Sequence, residues 1–253
     1  MDDLLAFLSA ADRLLIFTGA GISTNSGIPD FRGPQGIWQK RQPVYYDDFL
    51  ASEEARIEYW DYKLESWPVM SAARPNAVHR SILDLYHLGK VLAVVTQNID
   101  GLHQTAGMPE DRVIELHGTN RWNECLGCKQ RFDPQPLFAE FSRTTRPPRC
   151  PDCSGLLKSA TISFGQSLDP RTLEAAEEAA NGCDAVIALG STLSVYPAAE
   201  FPLMAARRGV PYAIVNRGPT EHDGLSWVTV RKEGDVGVIF PKAVEELLSA
   251  RRT

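Results

Sequence analysis

The sequence predicts a doubly wound α/β fold: a parallel, Rossmann-like sheet carrying a smaller inserted lobe that is part helical and part zinc-binding. Three observations predict it. Short runs that are apolar on both faces recur along the chain, helical patterns separate several of them, and two stretches break the alternation. Strands covered by helices on both sides read as continuous apolar runs. The chain has 253 residues, 43% of them hydrophobic and 23% charged, which suits one large globular domain with an insertion.

In chain order, residues 2–11 predict a short helix with Leu4, Leu5 and Leu8 on one face. The run "LLIFTG" (14–19) reads as a buried strand. Further strands are expected at 91–98, 112–118, 185–192, 211–216 and 225–230. Helices are expected at 76–87, 171–181, 198–208 and 239–252. Residues 34–74 hold no clear strand but carry Trp38, Trp60, Trp67 and four of the seven tyrosines, and read as a mostly helical insertion. Residues 121–156 hold four cysteines and several prolines with little apolar periodicity, and read as a metal-stapled insertion resembling a zinc ribbon. The Rossmann-like part then comprises 1–33, 75–120 and 157–253.

Bulk properties bound the function. A formal charge of −6 disfavours general nucleic-acid binding, which depends on Lys and Arg neutralising phosphates. An acidic chain suits a basic partner better, such as a lysine-bearing peptide. "MDDLLAFLSA" has no base before its apolar residues, so no signal peptide is expected. No apolar run reaches the roughly 18–20 residues that span a bilayer. A cytoplasmic location with reduced thiols is the expectation, and five cysteines there suggest metal or catalysis before disulfides.

Cys125-Leu-Gly-Cys128 and Cys150-Pro-Asp-Cys153 are two CxxC pairs separated by 21 residues. Each tight turn places two thiolates on one ion, and two pairs complete the tetrahedron that Zn²⁺ takes with sulfur. Four cysteines leave no open position for water, so one zinc here is structural. Four ordinary buried or redox thiols are the alternative. Cys183, at the start of a strand, reads as a small core residue.

The stretch "TGAGISTNSGIPDFRG" (18–33) follows the first strand. Gly19 and Gly21 let a backbone approach a phosphate closely, although a plain tight turn accounts for them equally well. The third glycine of a dinucleotide fingerprint is replaced by Thr24, and the next strand comes far too late to supply the usual acidic residue. A dinucleotide, if bound, is not held as in a dehydrogenase. "TQNIDGLH" (96–103) and "ELHG" (115–118) end two further strands. Ligands of open parallel sheets sit beyond the carboxyl ends of the strands, so three polar clusters converge on one crevice. Gln97, Asn98 and Asp100 bring amides and a carboxylate. His117 brings the one group suited to proton transfer near neutrality. A lone histidine is usually structural; this one lies at a strand end opposite a glycine loop. His79 and His87 fall on a helix, His222 lies in a polar loop, and His103 reads as support for its loop.

These motifs, in this order, resemble the sirtuins, the NAD-dependent protein deacylases, here of a bacterial type. "GSTLSVYPAAEFP" (190–202) and "IVN" (214–216) extend the likeness from about Leu14 to the C-terminus. The resemblance implies the following roles. Gly19, Ala20, Gly21 and Ser23 line the phosphates and ribose of NAD. Asp30 and Ile99 hold the nicotinamide amide, Phe31 covers the reacting ribose carbon, and Arg32 reaches the phosphates. Gln97 belongs to the same site, Asn98 and Asp100 orient NAD and a water, and Gly190, Ser191 and Asn216 hold the adenosine half. His117 is the general base that activates a ribose hydroxyl, so that nicotinamide leaves and the acyl group passes from lysine to ADP-ribose. An extended peptide adds a strand between "ISFGQ" (162–166) and "STLSVY" (191–196), contacting Ile162, Phe164, Gly165, Ser194, Val195 and Tyr196. Core packing in a strand is the other reading of Ile162 and Phe164.

Two departures refine the expectation. Phe164-Gly165-Gln166 stands where the family usually has Phe-Gly-Glu, which removes a charge near the peptide. "IEYWDYKLE" (57–65) lacks the arginine of sirtuins that remove acidic acyl groups, and Lys63 lacks the arginine fork, so neutral acyl groups are favoured over acidic ones. Mono-ADP-ribosyl transfer on the same scaffold and a non-catalytic NAD or ADP-ribose sensor are the competing readings. A zinc hydrolase is excluded by the closed Cys₄ set.

Overall fold

The computed structural model describes residues 3–30 and 42–251. In chain order the elements are α1 (Asp3–Ala10), β1 (Leu14–Thr18), α2 (Tyr46–Ala51), α3 (Glu53–Ala72), α4 (Ala77–His87), β2 (Val91–Thr96), α5 (Leu102–Ala106), β3 (Val113–Glu115), β4 (Gly118–Cys125), β5 (Arg131–Phe132), α6 (Pro134–Thr144), β6 (Leu157–Thr161), α7 (Pro170–Gly182), β7 (Ala185–Leu189), α8 (Glu200–Arg207), β8 (Tyr212–Asn216), β9 (Val228–Glu233) and α9 (Val236–Ala250).

Six strands pair in the order β3-β2-β1-β7-β8-β9, all parallel. Side chains alternate across this sheet, and both faces are buried. Leu14, Ile16, Val94, Ile187, Ala213 and Val215 pack with Leu8 of α1, Ile82 and Leu85 of α4, and Phe240 and Val244 of α9. Leu15, Phe17, Val95, Val186, Ala188 and Ile214 face the other way, onto Ala176 and Ala180 of α7 and Phe201 and Ala205 of α8. The chain order reverses between β1 and β7, which opens the crevice used for ligands in such sheets.

Helix starts carry ordinary caps. Asp169 and Asp235 accept backbone N–H groups of Arg171 and Gly237, each at 2.8 Å. Asn76 caps α4 by accepting from the Val78 N–H at 2.9 Å. Its amide also donates to the Ile22 carbonyl at 2.7 Å and Ser26 Oγ at 2.9 Å, tying α4 to the glycine loop.

The smaller lobe differs from its sequence reading in one respect. In and around residues 121–156, β5-β4-β6 make an antiparallel sheet, and α6 packs its Phe138 and Phe141 around Trp60 of α3. That sheet starts at Gly118 and ends at Thr161, beyond both ends of the expected insertion. Polar residues fill most of β4, so its pattern lacks the apolar run that betrays a strand. The final strand also starts later than expected, because Leu225 and Val228 close turns back to His222 and Leu225. Residues 42–74 of the helical insertion form α2 and α3; the part before residue 42 lies outside the described residues.

Candidate active site and metal centre

Three loops meet where the parallel strands end. Gly19 N donates to the Leu189 carbonyl at 3.0 Å and Gly21 N to the Gly190 carbonyl at 2.9 Å. A Cβ on Gly21 would lie 2.8 Å from the Cα of Gly190, and one on Gly190 would lie 2.6 Å from the Ile22 nitrogen. These glycines therefore serve first to press the loop after β1 against the loop after β7. Gly190 also has φ of +62°, a left-handed backbone that other residues rarely adopt.

A cavity of about 830 Å³ opens at this junction. Gly19, Ala20, Gly21, Asp30, Gln97, Asn98, Ile99, His117, Gly190, Ser191 and Asn216 line its sheet side. Ile162, Phe164, Gly165, Val195 and Tyr196 line its outer side. The structure thus gathers most of the residues singled out in the sequence. Ser23, Asp100 and Ser194 stand back from the lining. Ser23 Oγ donates to Asp100 Oδ2 at 2.7 Å, and Asn98 Nδ2 reaches Ser23 Oγ and the Gly19 carbonyl at 3.2 and 3.1 Å. Asp100 Oδ1 accepts the Leu102 N–H at 2.9 Å. Ser23 and Asp100 form the layer that fixes Asn98, with the Asp100 carboxyl pushed up by burial. The Ser194 hydroxyl is 2.8 Å from that of Thr192. Phe31 and Arg32 lie outside the described residues.

His117 has a defined tautomer. Its Nδ1 is 3.0 Å from the Gln97 carbonyl, which only accepts, so Nδ1 carries the proton and Nε2 keeps its lone pair. Burial holds the imidazole below its ordinary pKa of 6.5, against the raising effect of the Gln97 carbonyl. The His117 carbonyl accepts the Ile162 N–H at 2.8 Å, which seats the outer loop against the base.

Residues 162–166 form a turn beyond β6, with Gly165 at φ of +80°, and Phe164 is 40% exposed. Core packing in a strand is therefore ruled out for Phe164. Its ring meets Tyr45, with centroids 5.9 Å apart, and its carbonyl accepts the Tyr46 N–H. The Gln166 side chain closes the turn by accepting the Ser163 N–H at 3.1 Å.

Sequence reasoning missed the support beneath the site. Thr18 Oγ1 donates to Thr96 Oγ1 at 2.8 Å and lies 3.0 Å from His103 Nε2; Thr96 Oγ1 also accepts the Asn98 N–H. The His103 ring meets that of His79 at a tilt of 60°, with centroids 5.1 Å apart. The strand-end positions of Thr18 and Thr96 were legible, but not these contacts. Likewise His222, read as a loop residue, is buried with its Nδ1 2.8 Å from the Tyr212 hydroxyl. Tyr59, Tyr62 and Lys63 of α3 also reach the cavity.

The four cysteines close into one cluster, with all ligand atoms within 4.8 Å of one another. Sγ–Sγ separations are 3.4 Å for Cys125–Cys153 and 3.7 Å for Cys128–Cys150. A tetrahedron of Zn–S bonds at ~2.3 Å has edges of about 3.8 Å, so the set fits zinc. A Cβ on Gly155 would come 2.8 Å from Cys125 Sγ, which explains the glycine beside the second pair.

The sequence model described as the Sir2 family matches residues 19–197. The chain belongs to the Sir2 family. Among relatives, an NAD-dependent protein deacetylase of Rhodopseudomonas palustris is 43% identical over 226 residues, covering 89% of each chain. NAD-dependent protein deacylase 2 of Archaeoglobus fulgidus is 40% identical over 245 residues, covering 96% of this chain and 94% of the relative. A Sir2 structure with a p53 peptide and NAD⁺ is 35% identical with a TM-score of 0.86, covering 97% of this chain and 98% of the other. The Sir2 fold therefore extends across both lobes, and the described residues contain no helix long and apolar enough to cross a membrane.

Proposed function

We infer that the chain is an NAD-dependent protein-lysine deacylase, acting on acetyl-lysine, that releases nicotinamide and 2'-O-acyl-ADP-ribose. One observation carries the reading: a histidine with Nδ1 committed to a backbone carbonyl lines the same cavity as a glycine loop at the sheet's switch point. The cavity's size and position suit an extended dinucleotide. The relatives named as deacetylases and a Sir2 structure with a deacetylated peptide and acetyl-ADP-ribose support it.

Bound NAD supplies an electrophilic ribose carbon and the nicotinamide leaving group. His117 Nε2 takes the proton of the ribose hydroxyl that receives the acyl group. Asn98, fixed from behind by Ser23 and Asp100, orients the nicotinamide ribose; Asp30 and Ile99 hold the carboxamide. Gly19, Ala20, Gly21, Gly190, Ser191 and Asn216 hold the rest of the dinucleotide. Gln97 positions His117 through its carbonyl and Ser191 through its amide, at 2.9 Å. The acyl-lysine peptide lies between the turn at 162–166 and Val195–Tyr196. Zinc on Cys125, Cys128, Cys150 and Cys153 holds β4, whose first residue follows His117. A cytoplasmic setting would keep those thiols reduced.

The test incubates the protein with NAD, with and without an acetyl-lysine peptide. Equal amounts of nicotinamide and deacetylated peptide, formed only with peptide, establish the activity. Nicotinamide without deacetylation would replace it with ADP-ribosyl transfer or NAD hydrolysis.

A further inference from the structure

Two imidazoles lie buried beneath the strand ends with no part in the chemistry described above, and their hydrogen bonds are directional. Thr18 Oγ1 has a single proton and gives it to Thr96 Oγ1 at 2.8 Å. Towards His103 Nε2, 3.0 Å away, it can only accept, so Nε2 carries the His103 proton and Nδ1 is bare. His79 is held the same way round: its Nδ1 accepts the Asn76 N–H at 3.3 Å, so its proton is also on Nε2. Burial keeps both rings neutral, with His103 lowered to about 3 and His79 to about 4. His79 Nε2 and His103 Nδ1, an idle donor and an idle acceptor on adjoining rings, have no partner among the described residues.

From His103 a chain of contacts runs to the ligand crevice. Nε2–H donates to Thr18 Oγ1, Thr18 donates to Thr96 Oγ1, and Thr96 Oγ1 accepts the Asn98 N–H at 3.0 Å. Thr18 and Thr96 are register partners at the ends of β1 and β2, so the chain crosses the centre of the sheet. The Thr18 carbonyl also accepts the Gln97 N–H at 3.0 Å. Thr18, Thr96, Asn98 and His103 are all buried, so bulk water does not compete for these bonds. The chain ends on Asn98, which lines the cavity. His79 reaches the glycine loop through Asn76, whose amide donates to the Ile22 carbonyl at 2.7 Å. A side chain needed only as filler would be apolar, because a buried ring with an idle nitrogen carries a desolvation penalty. The imidazole stands where its one used proton fixes Thr18.

We propose, resting on the deacylase reading above, that His103 is a positioning residue for the nicotinamide-releasing step: its Nε2–H sets the rotation of the Thr18 hydroxyl, and Thr18 and Thr96 together fix the backbone of Asn98 against the nicotinamide ribose. That step breaks the bond from the ribose carbon to the nicotinamide nitrogen, and the electron pair leaves with nicotinamide. His103 moves no proton in it. Without the His103 donor the Thr18 hydroxyl is free to turn away from Thr96, and Asn98 loses its fixed support.

The full chain supplies the test. With ¹⁵N-labelled histidine, NMR at neutral pH shows His103 as the Nε2–H tautomer; the Nδ1–H tautomer overturns the proposal. His103→Leu lowers kcat/KM for NAD about tenfold, the worth of one buried hydrogen bond, and leaves the KM of the acetyl-lysine peptide unchanged. His103→Gln, whose amide carries a donor at the reach of Nε2, recovers the rate to within about threefold. Thr18→Val keeps the volume, deletes the hydroxyl and reproduces the loss, whether or not the leucine variant folds. Both changes together cost little more than either alone, because they cut one chain. Calorimetry reads NAD affinity separately: it weakens by about threefold or more in His103→Leu and Thr18→Val and is restored in His103→Gln. Loss of packing alone would lower the melting temperature without rescue by glutamine. Normal turnover and NAD affinity in Thr18→Val, a glutamine variant as impaired as the leucine one, or additive losses overturn the proposal. Wild-type protein that turns over no peptide overturns the deacylase reading, and the calorimetric comparison then decides the hold of His103 on Asn98 by itself.

Discussion

The Gln97 carbonyl accepts the Nδ1 proton of His117 at 3.0 Å, and this one contact fixes which nitrogen faces the cavity. Gln97 follows β2 and His117 follows β3, two adjacent parallel strands, so the sheet register itself sets the tautomer. His117→Ala is expected to lower deacylation about 10²–10⁴-fold, the usual span for a general base. NAD binding by calorimetry should largely persist. Near-normal turnover would remove His117 from this role.

Because burial depresses the His117 pKa, the imidazole is mostly neutral at its ordinary value of 6.5. The rate should fall only on the acid side of that value. A pH profile of kcat/KM whose acid limb lies above 6.5 would contradict the buried, Gln97-bound imidazole.

Gly21 and Gly190 meet backbone to backbone. Gly21→Ala forces them apart, at about 1–3 kcal/mol for an overpacked site. The expected result is weaker NAD binding, by at least about tenfold, in a protein that still folds. An alanine variant binding NAD normally would show that the loop contact is dispensable.

The four-cysteine set is expected to carry much of the stability of the small lobe through its zinc. Cys150→Ser should abolish stoichiometric zinc and cost more than about 4 kcal/mol, in line with loss of a structural metal. Zinc content by mass spectrometry and thermal unfolding report this together. A variant that keeps both its zinc and its melting temperature would break the assignment.

The adjoining buried rings of His79 and His103 are expected to make the fold acid-sensitive. Burial lowers them to about 4 and about 3, whereas the unfolded chain protonates near 6.5. Below 6.5 the unfolded state binds more protons, so stability is fully present above that pH and is lost as pH falls toward the folded values. At pH 5 each contributes a loss of about 2 kcal/mol, one and a half units at ~1.4 kcal/mol per unit. Urea midpoints between pH 7 and 4 measure the slope, and His103→Asn should reduce it by about one proton. An unchanged slope would place the titration elsewhere.

Much of the site was legible because its signals are local. Glycines after an apolar run, polar clusters at strand ends, and paired CxxC turns each report a constraint that a few neighbouring residues must satisfy. The centre of the sheet was legible for the same reason: burial on both faces leaves an almost unbroken apolar run in β1, β2, β7 and β8. What stayed hidden depends on partners distant in sequence. β4 and β6 pair across 118–161 with mixed polarity, so no periodicity marks them. For Phe164 the sequence left peptide contact and core packing both open, and a turn exposes its ring beside Tyr45.

By itself the sequence determined most strands of the parallel sheet, the paired CxxC turns and the family resemblance, and it singled out His117, since each is written in short-range spacing. Only the tertiary structure decided that Ser23 and Asp100 stand behind Asn98 and that His103 reaches Thr18. It alone placed Lys63 of α3 and Lys158 of β6 against one tyrosine ring. Those relationships arise when separate segments compete for the same buried volume and for the same hydrogen bonds, and neither is recorded in the spacing along one chain.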